Sequence, residues 1–452
     1  MLAATILGSG LAFLDSSAIG IAIPVMGRDL DASLSDLQWV VTGYLLTLGT
    51  LVLVGGALGD VYGDRRIFLT GTLWFAAASV LCGLAWNVEA LIVFRILQGV
   101  GAAMLVPTSL ALIQLAFVPH HRAAAIGVWS AFSGVSSLLG PVVGGWLVDA
   151  FSWRLLFFVN PLIAIPVVVV ALRFVPPVRP SESKGPDVAG GLAATAGLGG
   201  LVFALIEGPV LGWDDPLVIG AIAVGLVGLA ALGVVETKST HPMVPPGIFR
   251  SRQFTGANLY TLTVYSMLYG SVFFVQIQLQ NVLGYHALAA GLAALPVTVM
   301  LLVLSPQAGK MAERIGPRIP MIVGPLFAAV GALMLAGIEE GTDYWSFIFP
   351  AMLLVGVGIG IFVAPLTAAV LAAVDETRVG IASGINNSVA RLGGLLAVTL
   401  LPLAAGLETV SGAAYSEGFS TVMTISAGLM LVGSLIAALT IRERLVREDR
   451  TV

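Results

Sequence analysis

The stretch Gly56-Ala57-Leu58-Gly59-Asp60-Val61-Tyr62-Gly63-Asp64-Arg65 has a counterpart in Gly309-Lys310-Met311-Ala312-Glu313-Arg314-Ile315-Gly316-Pro317-Arg318. Aligned without gaps, the two share glycine, an apolar residue, a small residue, a carboxylate, glycine and arginine at the same offsets, 253 residues apart. Each follows a long apolar run. At about 32 residues for a membrane span and its connection, the displacement corresponds to eight spans. An even displacement puts both copies on one side of the membrane, so the repeats run parallel about an axis along the membrane normal.

Composition identifies the solvent around these repeats. Of 452 residues, 58% are hydrophobic and 10% charged, and there are 54 glycines. The apolar share, glycine included, is about 70%, against roughly 45–50% in soluble domains, so no water-exposed surface of ordinary size can be built. Apolar segments fall at about 3–25, 37–59, 67–86, 90–117, 123–148, 154–174, 188–210, 216–235, 254–280, 288–308, 319–337, 346–372, 379–405 and 419–441. Each can cross about 30 Å of hydrocarbon as a helix, whereas a barrel would show shorter alternating segments. The expected fold is an all-α membrane protein with fourteen transmembrane helices. Met1 runs straight into the first span with no basic leader or cleavage pattern, so that span is expected to be retained.

Lysine and arginine set the orientation. Every second connection, with the tail, collects Arg65, Arg66, Arg122, Arg173, Arg179, Lys184, Lys238, Arg250, Arg252, Lys310, Arg314, Arg318, Arg378, Arg442, Arg444, Arg447 and Arg450, 17 of the 21 basic residues. The intervening connections hold Arg28 and Arg154, while Arg95 and Arg391 fall within spans. Acidic residues divide almost evenly, as expected of groups that contribute little to topology. Both termini are therefore expected in the cytoplasm. Trp39, Trp86, Trp153, Trp213 and Trp345 lie where an outer aromatic belt belongs, and Glu207 reads as a solvated rim residue.

A repeat displaced by eight spans in fourteen leaves two six-helix halves with an inserted pair. The expected divisions are residues 1–175, a linker with two extra helices at 176–250, a second half at 251–442 and a tail at 443–452. The net charge of −4 gives no electrostatic case for nucleic acid. The single cysteine, Cys82, cannot form an internal disulfide and reads as a small buried hydrophobe, and no metal or cofactor is expected.

Six motifs occur in order. They are Leu14-Asp15-Ser16-Ser17 leading to Ala22-Ile23-Pro24; Gln38-Trp39 to Tyr44 with the Gly56–Arg66 loop; Arg95-Ile96-Leu97-Gln98-Gly99; Gly140-Pro141-Val142-Val143-Gly144-Gly145; Trp153-Arg154 to Asn160-Pro161; and Gly384-Ile385-Asn386-Asn387 to Arg391-Leu392-Gly393-Gly394. Together they resemble the major facilitator superfamily and, within it, the fourteen-span drug:proton antiporters, over nearly the whole chain. Val61 and Asp64 stand where that family often has basic residues, which weakens the expected charge latch. Ser136 replaces a glycine of the antiporter motif, and residues 288–308 lack the carboxylate some multidrug members carry, which weakens the case for doubly charged cations.

The resemblance implies roles that the chemistry of the residues supports. A carboxylate deep in the first span, Asp15, must face a partner or a watery cleft. It is expected to bind a proton or a cationic substrate, or else to serve as a structural ion pair or helix cap. Arg95 reaches a similar depth and is expected either to compete for Asp15 or to brace the helix bundle with Gln98. Gly56, Asp60, Gly63, Arg65 and Arg66 read as a cytoplasmic gate, with a bare topology signal as the rival. Gly140, Pro141, Gly144 and Gly145 read as a tight, bendable helix contact that blocks proton leak, or as ordinary small-residue packing. Tyr265, Tyr269, Gln276 and Gln280 share one helical face and, with Tyr44, Gln98, Asn386 and Asn387, are expected to line a substrate cavity, with interhelical bonding the alternative. Arg391 reads as structural.

The expected function is a proton-coupled secondary exporter of lipophilic or cationic drugs by alternating access, in the cell membrane, acting as a monomer. Its partners are then a small substrate, protons and lipid. The alternative is specific export of an endogenous metabolite, lipid or self-made antibiotic. An integral-membrane enzyme is remote, because the four histidines lie near loops and only two carboxylates approach the bilayer interior.

Overall fold

The computed structural model describes residues 2–116, 129, 136, 139–175, 187–238, 246–374, 379–407 and 412–443. The 176–186 and 239–245 linkers, most of the first part of the fifth expected span, Arg122, Arg378 and the tail from residue 444 lie outside the described residues. The described residues form helices α1 (Leu2–Asp29), α2 (Leu34–Tyr62), α3 (Asp64–Gly83), α4 (Val88–Ala116), α5 (Leu139–Ala150), α6 (Arg154–Phe174), α7 (Val188–Leu211) and α8 (Pro216–Lys238). Then follow α9 (Arg252–Val282), α10 (Ala287–Ile315), α11 (Arg318–Leu335), α12 (Tyr344–Leu371), α13 (Val379–Ala405) and α14 (Gly412–Thr440). Thirteen are long and apolar enough to cross a bilayer, and α5 is the described portion of the other expected span.

Polar residues at the ends of the apolar runs define the boundaries. Ser33 and Asp36 form a reciprocal capping box at the start of α2, Ser251 caps α9 and Asp343 caps α12. Asp343 is held below the usual carboxylate range by the hydrogen bonds it accepts from Ser346. The repeated loop ends α2 and α10 in the same way. Gly63 adopts φ 94° and its N–H bonds the Gly59 carbonyl at 2.8 Å; Gly316 adopts φ 83° and its N–H bonds the Ala312 carbonyl at 2.9 Å. Left-handed backbone at these positions favours glycine, which is why glycine recurs there.

Helix packing repeats with the sequence. In the first half α4 packs on α2 and α3, and α6 on α1 and α3; in the second α12 packs on α10 and α11, while α9 and α11 pack on α14. Helices α7 and α8 pair with each other, and α7 also touches α2 and α13, one from each half. The Thr50 and Thr195 hydroxyls meet at 2.8 Å on this contact, and the Trp39 indole donates to Glu207 at 2.8 Å. Glu207 is thus a half-buried acceptor rather than a solvated rim residue. Trp153 also departs from the belt expectation: it is 2% exposed and donates to Asp29, whereas Trp86, Trp213 and Trp345 are exposed. Leu162, Ile165, Val169 and Leu172 line one exposed face of α6, as a lipid-facing stripe should.

Candidate functional site

Burying a charge inside a bilayer requires a counter-charge and hydrogen bonds to the remaining lone pairs. Asp15, 5% exposed on α1, has both. Its Oδ2 accepts from Arg95 Nη1 at 2.6 Å, and its Oδ1 accepts from Gln98 Nε2 at 2.9 Å and Asn160 Nδ2 at 2.8 Å. Arg95 and Gln98 are three residues apart on α4, so they present to the same side, and Arg95 Nη1 also donates to Gln98 Oε1 at 2.7 Å. Arg95 Nε donates to the Val40 carbonyl at 3.1 Å, and its guanidinium lies 4.3 Å from the Tyr44 ring centroid. Asn160 is fixed by Ser79, which itself donates to the Phe157 carbonyl. Five helices of the first half thus hold one carboxylate and one guanidinium. Asn160 was not singled out as a site residue from the sequence, although an asparagine within the apolar run 154–174 is itself a signal.

A cleft of about 30 Å³ beside this cluster is lined by Ser16, Gly20, Tyr44, Arg95, Tyr269 and Val398, from both halves. Tyr269 also borders a larger cavity of about 180 Å³, lined by Phe13, Tyr265, Thr367, Val370, Leu371, Ser383, Asn386, Asn387 and Arg391. Helices α9 and α13 face each other across it. Asn386 donates to Thr261 at 2.7 Å, and Arg391 donates to the Tyr269 hydroxyl at 2.5 Å.

The structure divides the residues expected to form one cavity. Tyr265, Tyr269, Asn386 and Asn387 line it; Tyr44 lines the adjoining cleft; Gln98 belongs to the ion-pair cluster. Gln276 and Gln280 do not line it. They share a helical face with the tyrosines but lie farther along α9, Gln276 being about 10 Å beyond Tyr269 at 1.5 Å per residue. There Gln276 donates to the Ala290 carbonyl, and Gln280, in a π-turn that ends α9, donates to the Ile21 carbonyl of α1 at 2.8 Å. Arg391, read as structural, is a lining residue.

At the end away from the repeated loops, the two halves close on each other. An added Cβ at Gly140 or Gly144 would press on Ser17 or Ala18 of α1, and one at Gly145 would lie 2.6 Å from Leu288 Cα of α10. A Cβ on Gly291 would lie 2.5 Å from the Pro141 carbonyl oxygen. One turn beyond Gly145, the Asp149 carboxylate accepts the Ala287 and Leu288 N–H groups at 3.0 and 2.8 Å, capping α10 from the other half. Arg28 donates to Asn281 at 2.9 Å nearby. Asp149 went unnoticed in the sequence; its place four residues after Gly145 gives it the same helical face.

At the arginine-rich end, Gly56 and Gly63 sit on either side of the α2 terminus, and Asp60 and Arg66 are exposed. Arg65 Nη2 donates to the Leu172 carbonyl of α6 at 2.7 Å. Among the described residues, Asp60, Arg65 and Arg66 enter no ion pair, so the carboxylate–guanidinium pairs expected of a gate are not what engages Arg65 in this conformation.

Residues 5–398 match the Major Facilitator Superfamily. The chain is 34% identical over 404 residues to the tetracenomycin C resistance and export protein of Streptomyces glaucescens, covering 88% of this chain and 74% of that one. It is 34% identical over 461 residues to the puromycin resistance protein of Streptomyces alboniger, covering 98% and 91%. The multidrug resistance protein Stp of Mycobacterium tuberculosis is 33% identical over 401 residues, covering 88% and 74%. Among solved structures, a peptide transporter POT in complex with sulfate superposes with a TM-score of 0.71 at 15% identity, covering 97% and 93%. A bacterial homologue of the lysosomal transporter Spinster, in an inward-facing and unoccupied conformation, superposes with 0.66 at 18%, covering 100% and 98%. These structural likenesses concern the fold.

Proposed function

The chain belongs to the major facilitator superfamily and is a drug-efflux transporter rather than an enzyme, and we propose that it exports small lipophilic compounds across the cell membrane in exchange for protons, working as a monomer. The described lining of the cavity comes from a single chain, Phe13 from the first half and the rest from the second, which supports the monomeric reading. The arginine-rich end, with both termini, is cytoplasmic in this reading. Residues 1–175 and 251–442 are the two moving bodies, and 176–250 carries the inserted pair.

The observation that carries the proposal is the buried Asp15–Arg95 pair beside a cleft that reaches Tyr269, itself a wall of the larger cavity. An ionised Asp15 uses both oxygens to hold Arg95, Gln98 and Asn160. Protonation removes the charge that balances Arg95 and converts one acceptor to a donor, so the guanidinium must find new partners. Its nearest alternative surroundings are the Tyr44 ring and the cleft, which connects proton occupancy to the shape of the cavity. With the outer end closed by α5 on α10 and α1 on α9, this conformation is the one that receives substrate from the cytoplasmic side. Opening that end exposes the cleft to the outside, where Asp15 takes up a proton. The Gly140–Gly145 contact then serves as a seal against leak, and the Gly56–Arg66 loop as the opposite gate.

The test is uptake of a panel of lipophilic dyes into inverted membrane vesicles with an imposed pH gradient. Uptake of several dyes that collapses when the gradient is dissipated supports the proposal; uptake indifferent to the gradient removes proton exchange from it. The modest 180 Å³ cavity favours the narrower alternative, export of one endogenous compound such as a self-made antibiotic, which predicts that the whole dye panel fails while that compound is accumulated.

A further inference from the structure

Two arginines lie within the apolar spans, and among the described residues only Arg95 has a counter-ion. Arg95 is paired with Asp15 at 2.6 Å, whereas Arg391 makes no ion pair among the described residues, and its one hydrogen bond is to the neutral Tyr269 hydroxyl. A guanidinium carries five N–H donors, so most of those on Arg391 are unspent. The Tyr269 ring, 5.9 Å from the guanidinium carbon, provides only weak cation–π compensation at that range. Among the described residues, no aspartate or glutamate lines the cavity that Arg391 borders. An unpaired cation at membrane depth is costly, and intramembrane charges that persist mark ligand or ion pathways. Its planar fork matches two oxygens of an anionic group.

We infer that Arg391 is the anion-recognition residue of this cavity, and that the compounds it takes carry a carboxylate or another ionised oxygen group on an apolar body. The inference rests on reading the cavity as the substrate site, and it replaces the expectation of cationic drugs with one of organic anions. The ionised oxygens dock on the Arg391 fork, which Tyr269 aims, and Asn387 lies one helical turn away to meet a second polar group. Phe13, Val370 and Leu371 supply the apolar wall. A quaternary ammonium finds like charge in the same place and, among the described lining residues, no carboxylate to offset it.

The experiment uses the full chain in lipid nanodiscs at constant pH and salt, with three fluorescent probes sharing one ring system: 1-naphthylacetate, its neutral amide, and (1-naphthylmethyl)trimethylammonium. The wild type should bind the carboxylate at least about tenfold more tightly than the ammonium. Arg391→Gln should abolish that preference and leave amide affinity within about threefold, while Arg391→Lys should retain part of it. Tyr269→Phe, which removes the aiming hydroxyl and leaves the ring in place, should weaken carboxylate binding alone, and it carries the test if Arg391→Gln does not yield a monodisperse protein. Failure of the wild type to bind the carboxylate, an equal or stronger affinity for the ammonium, or an unchanged preference in Arg391→Gln overturns the inference. A carboxylate preference that depends on Arg391, without gradient-driven uptake of 1-naphthylacetate into inverted vesicles, would leave the anion site standing and count against the export reading instead.

Discussion

Removing the Asp15 carboxylate leaves Arg95 as a buried cation with only neutral partners, which costs more than the pair was worth as a contact. Asp15→Ala should lower stability by about 3–5 kcal/mol, and pairing it with Arg95→Leu should recover a substantial part, because the second change removes the orphaned charge. Thermal unfolding of the purified variants checks this; equal losses in the single and double variants would contradict it. That Asp15 and Arg95 meet inside the bundle was legible in the sequence because ionisable groups inside apolar runs are few. The rest of the cluster was partly so: the Arg95–Gln98 bond is the bracing contact their spacing offers, whereas the bonds from Gln98 and Asn160 to Asp15 were not readable. Residue type and spacing identify a helical face, yet which helix that face meets depends on packing across 50 or more residues, as with the Arg95–Val40 and Asn160–Asp15 bonds.

The helices themselves were written in the apolar runs, and thirteen of the expected spans agree with described helices apart from end residues, while α5 covers the described part of the fifth. Depth along a helix was the weaker quantity. Tyr265 and Gln280 share a face of α9, but the first lines a cavity and the second bonds α1 near the closed end. The α5–α10 contact is an element-scale device, since Gly145 permits backbone approach while Asp149 caps the partner helix. Gly145→Leu cannot coexist with Leu288 in its present position, so transport should fall below about a tenth of wild type and the closed population should be lost. Asp149→Ala removes two charge-assisted hydrogen bonds and should shift the same equilibrium by about 1–3 kcal/mol. Spin labels replacing the exposed Trp86 and Trp345 report the distance across this end; lengthened distances in both variants are expected, and wild-type distances would refute the latch.

For the molecule as a whole, the Gly56 and Gly309 loops predicted two parallel halves, and the matching left-handed caps at Gly63 and Gly316 repeat that relation in backbone geometry. The position of the inserted pair was not readable. Contact of α7 with both α2 and α13 depends on how the halves meet, and its Trp39–Glu207 bond converts an expected rim residue into an anchor. The lysine and arginine count predicts that, in a Cys82→Ala background, Trp86→Cys is labelled by an impermeant maleimide in intact cells and Glu443→Cys is labelled only after permeabilisation. The reverse pattern would invert every assignment of inside and outside.

The central claim is that proton occupancy of Asp15 couples the gradient to transport. The direct measurement is uptake of a transported substrate into proteoliposomes by wild type and Asp15→Asn, each with and without an inwardly acidic pH gradient, alongside exchange of labelled for unlabelled substrate at equal pH. The account predicts that Asp15→Asn keeps exchange and loses gradient-driven accumulation, whereas accumulation at the wild-type level would contradict it.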